Sequence, residues 1–308
     1  MLTIHDPVQL PPGPGGVCIA LGMFDGVHLG HQHVVRQAVL DARALGSRPV
    51  AVTFDPHPLS VVRPDRAPRL LQTPGQRLRA LAGLGIDAVL LLRFDGELAR
   101  IPGDEFIRRL ATGFGRLRSV TVGQGFHFGH NRSGNVPLLR EMGRPLGFVT
   151  HAVAPIHIGS ERVSSTRIRT ALREGRLGLV AELLGRPYAL AGVVTRGRQL
   201  ARQLGFPTAN IDVAGLELPP HGVYAARARV EGRDHQAVLN LGLRPTVESG
   251  ESVPRLEVHL FDYEGDLYGK ELEAELVCMI RPEKRFTSVE ALREQIGRDV
   301  IAAGQALD

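Results

Sequence analysis

His28 and His31 stand three residues apart with Gly30 between them, where an apolar run at 17–21, ending in Gly22, gives way to a helical pattern. Histidines at that spacing point the same way from a helix start. Gly26 and Gly30 let the backbone approach a ligand closely, and the free N–H groups and positive dipole end of a helix favour phosphate. The segment Gly22-Met23-Phe24-Asp25-Gly26-Val27-His28-Leu29-Gly30-His31 therefore suits the α- and β-phosphates of ATP and the charge that builds during in-line attack. The pair could instead share a metal ion, although carboxylate ligands are not obvious nearby. Further on, Val163-Ser164-Ser165-Thr166-Arg167-Ile168-Arg169 reads as a loop capping a helix over 166–173. Its hydroxyls, N–H groups and arginines make a grip for a triphosphate; taken alone it is a helix cap with solvated arginines.

A second constellation is Gly205-Phe206-Pro207-Thr208-Ala209-Asn210. Glycine gives backbone access and proline rigidity. Thr208 and Asn210 fix a hydroxyl and an amide carbonyl one residue apart, hard oxygen donors that suit Mg²⁺ carrying bound phosphate. A polar turn is the plainer reading of this hexapeptide alone. No GxxxxGK[ST] segment occurs in the chain, which excludes a P-loop kinase.

These segments need elements to hold them. The chain has 308 residues, and domains of ~100–200 residues make two the natural expectation. The first part alternates strand-like runs (17–21, 50–54, 88–94, 119–122) with helical patterns (31–45, 76–84, 106–112), which predicts a parallel sheet with helices on its faces. Ligands in such sheets sit at the carboxyl ends of the strands. After Leu184 the character changes. Strand-like segments at 192–195, 222–230, 236–239, 256–261 and 272–280 follow one another without helices, which predicts a small antiparallel barrel. Thr287-Ser288-Val289-Glu290 has the form of a capping box before a closing helix whose face is Val289, Leu292, Ile296 and Val300. The expected domains are thus 1–184 and 185–308.

Composition excludes several classes. The N-terminus lacks the basic segment and apolar run of a secretory signal, and no apolar stretch approaches the ~20 residues that span a bilayer, so a cytoplasmic protein with no membrane partner is expected. Cys18 and Cys278 read as free thiols in apolar strands. The pI of about 9.7 raises nucleic acid as a partner. The excess positive charge, however, lies before Leu184, the arginines are scattered, and no basic patch with interleaved aromatics exists, so an anionic small molecule is the better reading.

FDGVHLGH together with SSTRIR resembles the HxGH-type nucleotidyltransferases. Thr53-Phe54-Asp55-Pro56-His57-Pro58 and Gly123-Gln124-Gly125-Phe126-His127-Phe128-Gly129 narrow this to the adenylyltransferase half of the bacterial bifunctional riboflavin kinase/FAD synthetase family. LGRPY, GVYA, NLGLRPT, EVHL and DLYGK, in that order around GFPTAN, look like the riboflavin kinase barrel of the same family. The resemblance implies a Rossmann-like α/β domain that joins FMN and ATP to give FAD and pyrophosphate. It implies a barrel that phosphorylates riboflavin to FMN, with Mg²⁺ at both sites and flavins as substrates and products.

By the same resemblance, Gly22, Phe24, His28, Gly30, His31, Ser165, Thr166 and Arg169 would bind or activate ATP, with Arg162 a weaker member of that grip. Asp55, His57, Gly125 and Phe126 would lie toward the flavin substrate. In the barrel Gly205, Thr208 and Asn210 would hold Mg²⁺ and ATP phosphates, and Glu257 would be the general base. Glu257 could alternatively be a salt-bridged strand carboxylate. Three positions depart from the family pattern: Gly125 and Asn135, where polar and Asp residues are usual, and Ala201-Arg202 ahead of the GFPTAN loop. Gly125 keeps open a kinase whose N-terminal domain only binds flavin nucleotides.

Overall fold

A computed structural model describes residues 1–11, 13, 15–196, 203–245 and 252–308; Ala201-Arg202 lie outside these. The chain forms two compact units, Met1–Arg69 with Pro74–Ser165, and Leu70–Thr73 with Thr166–Asp308.

The first unit contains β1 (Leu2–Ile4), β2 (Val17–Leu21), α1 (Leu29–Leu45), β3 (Arg48–Asp55), α2 (Pro58–Val62), α3 (Pro74–Ala82), β4 (Ala88–Arg93), α4 (Gly103–Phe114), β5 (Leu117–Gly123), α5 (Val136–Leu146), β6 (Val149–Val153) and the hairpin β7 (His157–Ile158) and β8 (Glu161–Arg162). Six of these strands form one parallel sheet in the order β1-β4-β3-β2-β5-β6. Every residue of β2 is buried, as expected of a central strand covered on both faces. α1 packs on β2, β3 and β5 through Val34, Val35, Ala38, Val39 and Ala42, five of the six residues of the face that the sequence spacing predicts; the sixth, Leu45 in the last turn, is exposed. It ends at Gly46, whose φ of 58° is the left-handed cap conformation.

The chain leaves β2 toward β3 on one side and returns to β5 on the other. The switch point of the sheet therefore lies between β2 and β5. The loops that follow these two strands carry FDGVHLGH and GQGFHFG.

The second unit begins with α6 (Ser165–Arg173), apart from its first residue, and α7 (Leu177–Leu184). It continues through β9 (Ala189–Thr195), β10 (Ala209–Asp212), β11 (Gly222–Val230), β12 (Arg233–Pro245), β13 (Ser252–Leu260), β14 (Glu271–Pro282) and α8 (Val289–Leu307). The six strands close into an antiparallel barrel in the order β10-β13-β12-β11-β14-β9. Closure leaves no unpaired edge. α8 lies on β11, β12 and β14, burying Ala303 and Leu307 against Val223, Ala225 and Val238.

An ion pair fixes that helix. Arg281 on β14 donates from Nε and Nη2 to both oxygens of Asp299 on α8, at 2.7 to 3.1 Å, and Gln295 Nε2 donates to Asp299 Oδ1 at 2.8 Å. Removing one partner of a buried pair strands the other charge. Asp299→Ala is expected to destabilise the second unit by about 3 kcal/mol, measured by denaturant unfolding. The first unit's transition should be unchanged.

Two readings of the sequence are adjusted. Ser288, not Thr287, caps α8, accepting from the Ala291 N–H at 3.1 Å. α5 and β6 form where no element is expected, α5 carrying Pro145 in its last turn. Cys18 and Cys278 are both free thiols, the first fully buried. Among the described residues no helix is long and apolar enough to cross a membrane.

Candidate active sites

At the first site the loop after β2 is strained, and the core holds it. Phe24 (φ 53°) and Val27 (φ 39°) both occupy the left-handed region, as does Gly26 (φ 83°). That region is unfavourable for non-glycine residues and rare for a β-branched one, at about 1–3 kcal/mol each. Both side chains are buried among Ala20, Val35, Ala38 and Leu81, and burying a side chain of this size offsets a cost of that order, at ~1.5–3 kcal/mol. Gly22 makes room for the turn, since a Cβ there would stand 2.9 Å from the Phe24 ring.

His28 is the N-cap of α1. Its Nδ1 accepts from the His31 N–H at 3.2 Å, which places the proton of the neutral ring on Nε2 as a donor. The His28 and His31 rings stack at 3.6 Å and 15°, with Phe24 edge-on to His31. A Cβ at Gly30 would lie 3.2 Å from His28 Cε1, so any side chain there presses on the ring. This is the physical reason for glycine between the histidines.

Burial holds the His31 pKa well below the usual histidine value, with His28 and Arg162 adding to the effect, and the buried Nδ1 has no hydrogen-bond partner among the described residues. His31 is therefore neutral near pH 7. Because its folded pKa is depressed, the stability associated with the neutral ring is present above the unfolded value of about 6.5 and is lost as pH falls below it.

The structure places the other expected residues as follows. Arg162 on β8 acts electrostatically on His31, and its Nη1 lies 3.8 Å from where a Cβ on Gly125 would be. It thus reaches both the loop after β2 and the loop after β5. Gly125 has neither a positive φ nor a close neighbour, so nothing in the backbone requires glycine there and a polar side chain would fit. Phe126 stacks on Phe128 at 5.7 Å. Asn135 Oδ1 caps α5 by accepting from the Leu138 N–H at 3.0 Å, a role that Asn fills as well as Asp.

Asp55 ends β3, with its Oδ1 3.5 Å from Arg77 Nη2. His57 caps α2, its Nδ1 accepting from the Leu59 N–H at 3.1 Å. Ser165 Oγ donates to the Asp25 carbonyl at 3.0 Å, which ties it to the strained loop. Thr166 and the buried Arg169 belong to the second unit. Sequence reasoning missed Arg77, because an arginine on an amphipathic helix reads as solvated. Here it is 3% exposed.

The second site lies on three adjacent strands. Asn210 on β10, Glu257 on β13 and Asn240 on β12 are direct cross-strand partners, so their side chains share one face. They line a cavity of about 380 Å³ with Thr208, Arg255, His259, Arg281, Glu283, Lys284 and Phe286. Asn210 is buried, and its Oδ1 has no hydrogen-bond partner among the described residues. Glu257 is half-buried, and Arg255 Nη1 is its ion-pair partner at 3.9 Å. His259 Nδ1 lies 2.8 Å from the Pro207 carbonyl, which tethers the loop ahead of Thr208 to β13. A second cavity, of about 670 Å³, is lined by Val194, Pro207, Thr208, Tyr263, Asp266 and Tyr268. Thr208 lines both cavities, whereas Glu257 and Asn210 open only to the first.

The donor set fits Mg²⁺ carried on phosphate. A buried amide oxygen without a partner and a hydroxyl two residues away are hard donors. Among the described residues no group of three or more His, Cys, Asp or Glu could hold a metal by itself, so a cation at Thr208 and Asn210 would need phosphates and waters as further ligands.

The family model for FAD synthetase matches residues 11–167, and that for riboflavin kinase matches residues 184–307. The chain is 40% identical to the bifunctional riboflavin kinase/FMN adenylyltransferase of Pseudomonas fluorescens, covering 96% of this chain and 94% of that protein. It is 37% identical to the protein of that description from Escherichia coli strain K12, covering 97% and 95%. A solved structure described as a macrolide-efflux protein from Streptococcus pneumoniae is similar in fold, with a TM-score of 0.82, 27% identity and 98% of each chain covered.

Proposed function

Because this chain belongs to the bifunctional riboflavin kinase/FMN adenylyltransferase family, we propose that its two sites divide the chemistry between residues 1–184 and 185–308, with the side chains described above in the following roles. The enzyme phosphorylates riboflavin to FMN and adenylylates FMN to FAD, releasing pyrophosphate. A kinase with a merely binding N-terminal unit is not favoured, since the two activities named for the relatives correspond to two family matches in one chain.

In the kinase, the observation that carries the assignment is Thr208 between two cavities. A phosphoryl group passing in line needs donor and acceptor on opposite sides of the transfer point. Riboflavin occupies the cavity that contains Glu257, and ATP the one lined by Tyr263, Asp266 and Tyr268. Glu257 takes the proton of the terminal ribityl hydroxyl as the oxygen attacks the γ-phosphorus. Thr208 and Asn210 present their oxygens toward the phosphates and Mg²⁺. When bound, the cation neutralises charge that builds on the transferring group.

In the adenylyltransferase, an FMN phosphate oxygen attacks the α-phosphorus of ATP and pyrophosphate leaves. The first N–H groups of α1, His28 Nε2–H and Arg162 face developing negative charge. His31, held neutral and stacked, fixes the plane of the His28 ring. The loop after β5, with Gly125 and Phe126, and Asp55 at the end of β3 border the flavin side.

The test is product analysis. Purified protein given riboflavin, ATP and Mg²⁺ yields FMN and FAD on chromatography. FMN without FAD would overturn the N-terminal assignment, and failure to convert riboflavin while FMN still gives FAD would overturn the C-terminal one.

A further inference from the structure

We propose that Arg77 is a positioning residue for adenylyl transfer, holding the strained loop at residues 23–28 in its phosphate-facing conformation. The proposal rests on the assignment of that loop to the adenylyltransferase. Arg77 extends from α3 to the carboxyl ends of β2 and β3. Its Nη1 donates to the Met23 carbonyl at 3.3 Å, and Nη2 lies 3.5 Å from Asp55 Oδ1. The buried carboxylate of Asp25 attracts it as well. Burial pushes its pKa down, and the two carboxylates oppose that shift. Nε is buried without a hydrogen-bond partner among the described residues.

A buried guanidinium is an expensive way to fill space, and an apolar side chain would do so at lower cost. What the arginine supplies is an anchor at one carbonyl. Thr53 Oγ1 donates to that same Met23 oxygen at 2.9 Å. A carbonyl held by two donors fixes its peptide plane, and the plane between Met23 and Phe24 sets φ of Phe24. Phe24 is the first of the left-handed residues, and Val27 is the last before His28. Strain of this kind persists only where the surroundings over-determine it. The core residues around Phe24 and Val27 hold the side chains, and Arg77 with Thr53 holds the backbone. Arg77 contacts no reacting atom in this scheme and acts through the loop.

The test uses the full-length protein with both activities measured. Arg77→Met is expected to lower kcat for FAD formation by roughly tenfold or more through lost preorganisation. KM for FMN should change by less than about twofold, because the loop grips ATP rather than the flavin. Riboflavin phosphorylation, as the internal control, should be unchanged. Arg77→Lys, which keeps a cation near Met23 and Asp55, should recover most of the loss. Thr53→Val weakens the same anchor, so its effect on kcat should combine with that of Arg77→Met less than multiplicatively. Wild-type kcat in Arg77→Met overturns the proposal. So do a KM-only effect, no recovery in Arg77→Lys, or independent multiplication with Thr53→Val. Should Arg77→Met fail to fold, Arg77→Gln, which keeps the length but not the charge, takes its place in that cycle. If His28→Ala keeps FAD formation, the loop assignment itself fails, whatever Arg77 does.

Discussion

Glu257→Ala is expected to reduce FMN formation by ~10²–10⁴-fold, the usual worth of a general base, while leaving FAD formation from supplied FMN unchanged. The expectation follows from the rung that Glu257 shares with Asn210 and Asn240. One strand away on one side is a buried amide oxygen without a partner among the described residues, and Thr208 lines both cavities. With riboflavin placed in the first cavity as proposed, a carboxylate on its face is within the region where the alcohol would lose its proton. The competing role for Glu257 is an ion pair with Arg255, and the 3.9 Å separation makes that pair weak. A partly exposed pair contributes about 1 kcal/mol or less. Glu257→Gln separates the two roles. It keeps shape and hydrogen bonding but cannot take a proton. If only the ion pair mattered, Glu257→Gln would stay within a few-fold of wild-type kcat; as a base variant it falls with Glu257→Ala. Chromatographic quantification of FMN under saturating riboflavin reads this directly.

His28→Ala should produce the mirror image, with FAD formation lost by roughly 10²–10³-fold, as for removal of a donor aimed at developing charge, and FMN formation intact. Here a structural contribution must be separated from a chemical one. His28 caps α1 through Nδ1, and loss of a cap costs about 1 kcal/mol. Asn is a good N-cap and can accept the His31 N–H, so His28→Asn should restore the melting temperature without restoring FAD formation. Recovery of activity in His28→Asn would show that the ring acts only as a cap and would remove it from the chemistry. If both His28→Ala and Glu257→Ala lose both activities while folded, the two-site division is wrong.

The strands and helices with strong periodicity were legible in the sequence. α1 buries all but Leu45 of the face that its apolar spacing specifies, and the strands after Leu184 close into the expected barrel because no helical pattern interrupts them. α5 was hidden by Gly143 and Pro145, which break a helical pattern on paper. Pro145 nevertheless falls in the last turn, close to where Gly147 ends the helix. The histidine pair stood out as a candidate through its place between a strand and a helix, whereas the GFPTAN segment alone read as a polar turn and became a candidate only through the resemblance of the segments around it. Arg77 was not, because charge on a helix carries no sign of burial; only the fold brings Asp25, Asp55 and Met23 to it. The strain at Phe24 and Val27 was equally hidden, since neither residue type signals a left-handed backbone.

The chain does not pass from one unit to the other just once. Leu70–Thr73, far ahead in sequence, belong to the second unit. Leu70 bridges to Leu216, its carbonyl accepts from the Glu217 N–H at 2.8 Å, and Leu71 and Gln72 are buried. The consequence concerns how such a gene can be divided. A cut near residue 165 yields a kinase fragment without Leu70–Thr73 of its own unit, so that the Glu217 N–H loses the Leu70 carbonyl; a cut near residue 184 removes Thr166–Leu184 as well. Two activities that look like separable modules on the linear sequence are thus laced together by a stitch. A gene fission that releases the kinase intact has to carry that stitch along, or supply a substitute for it.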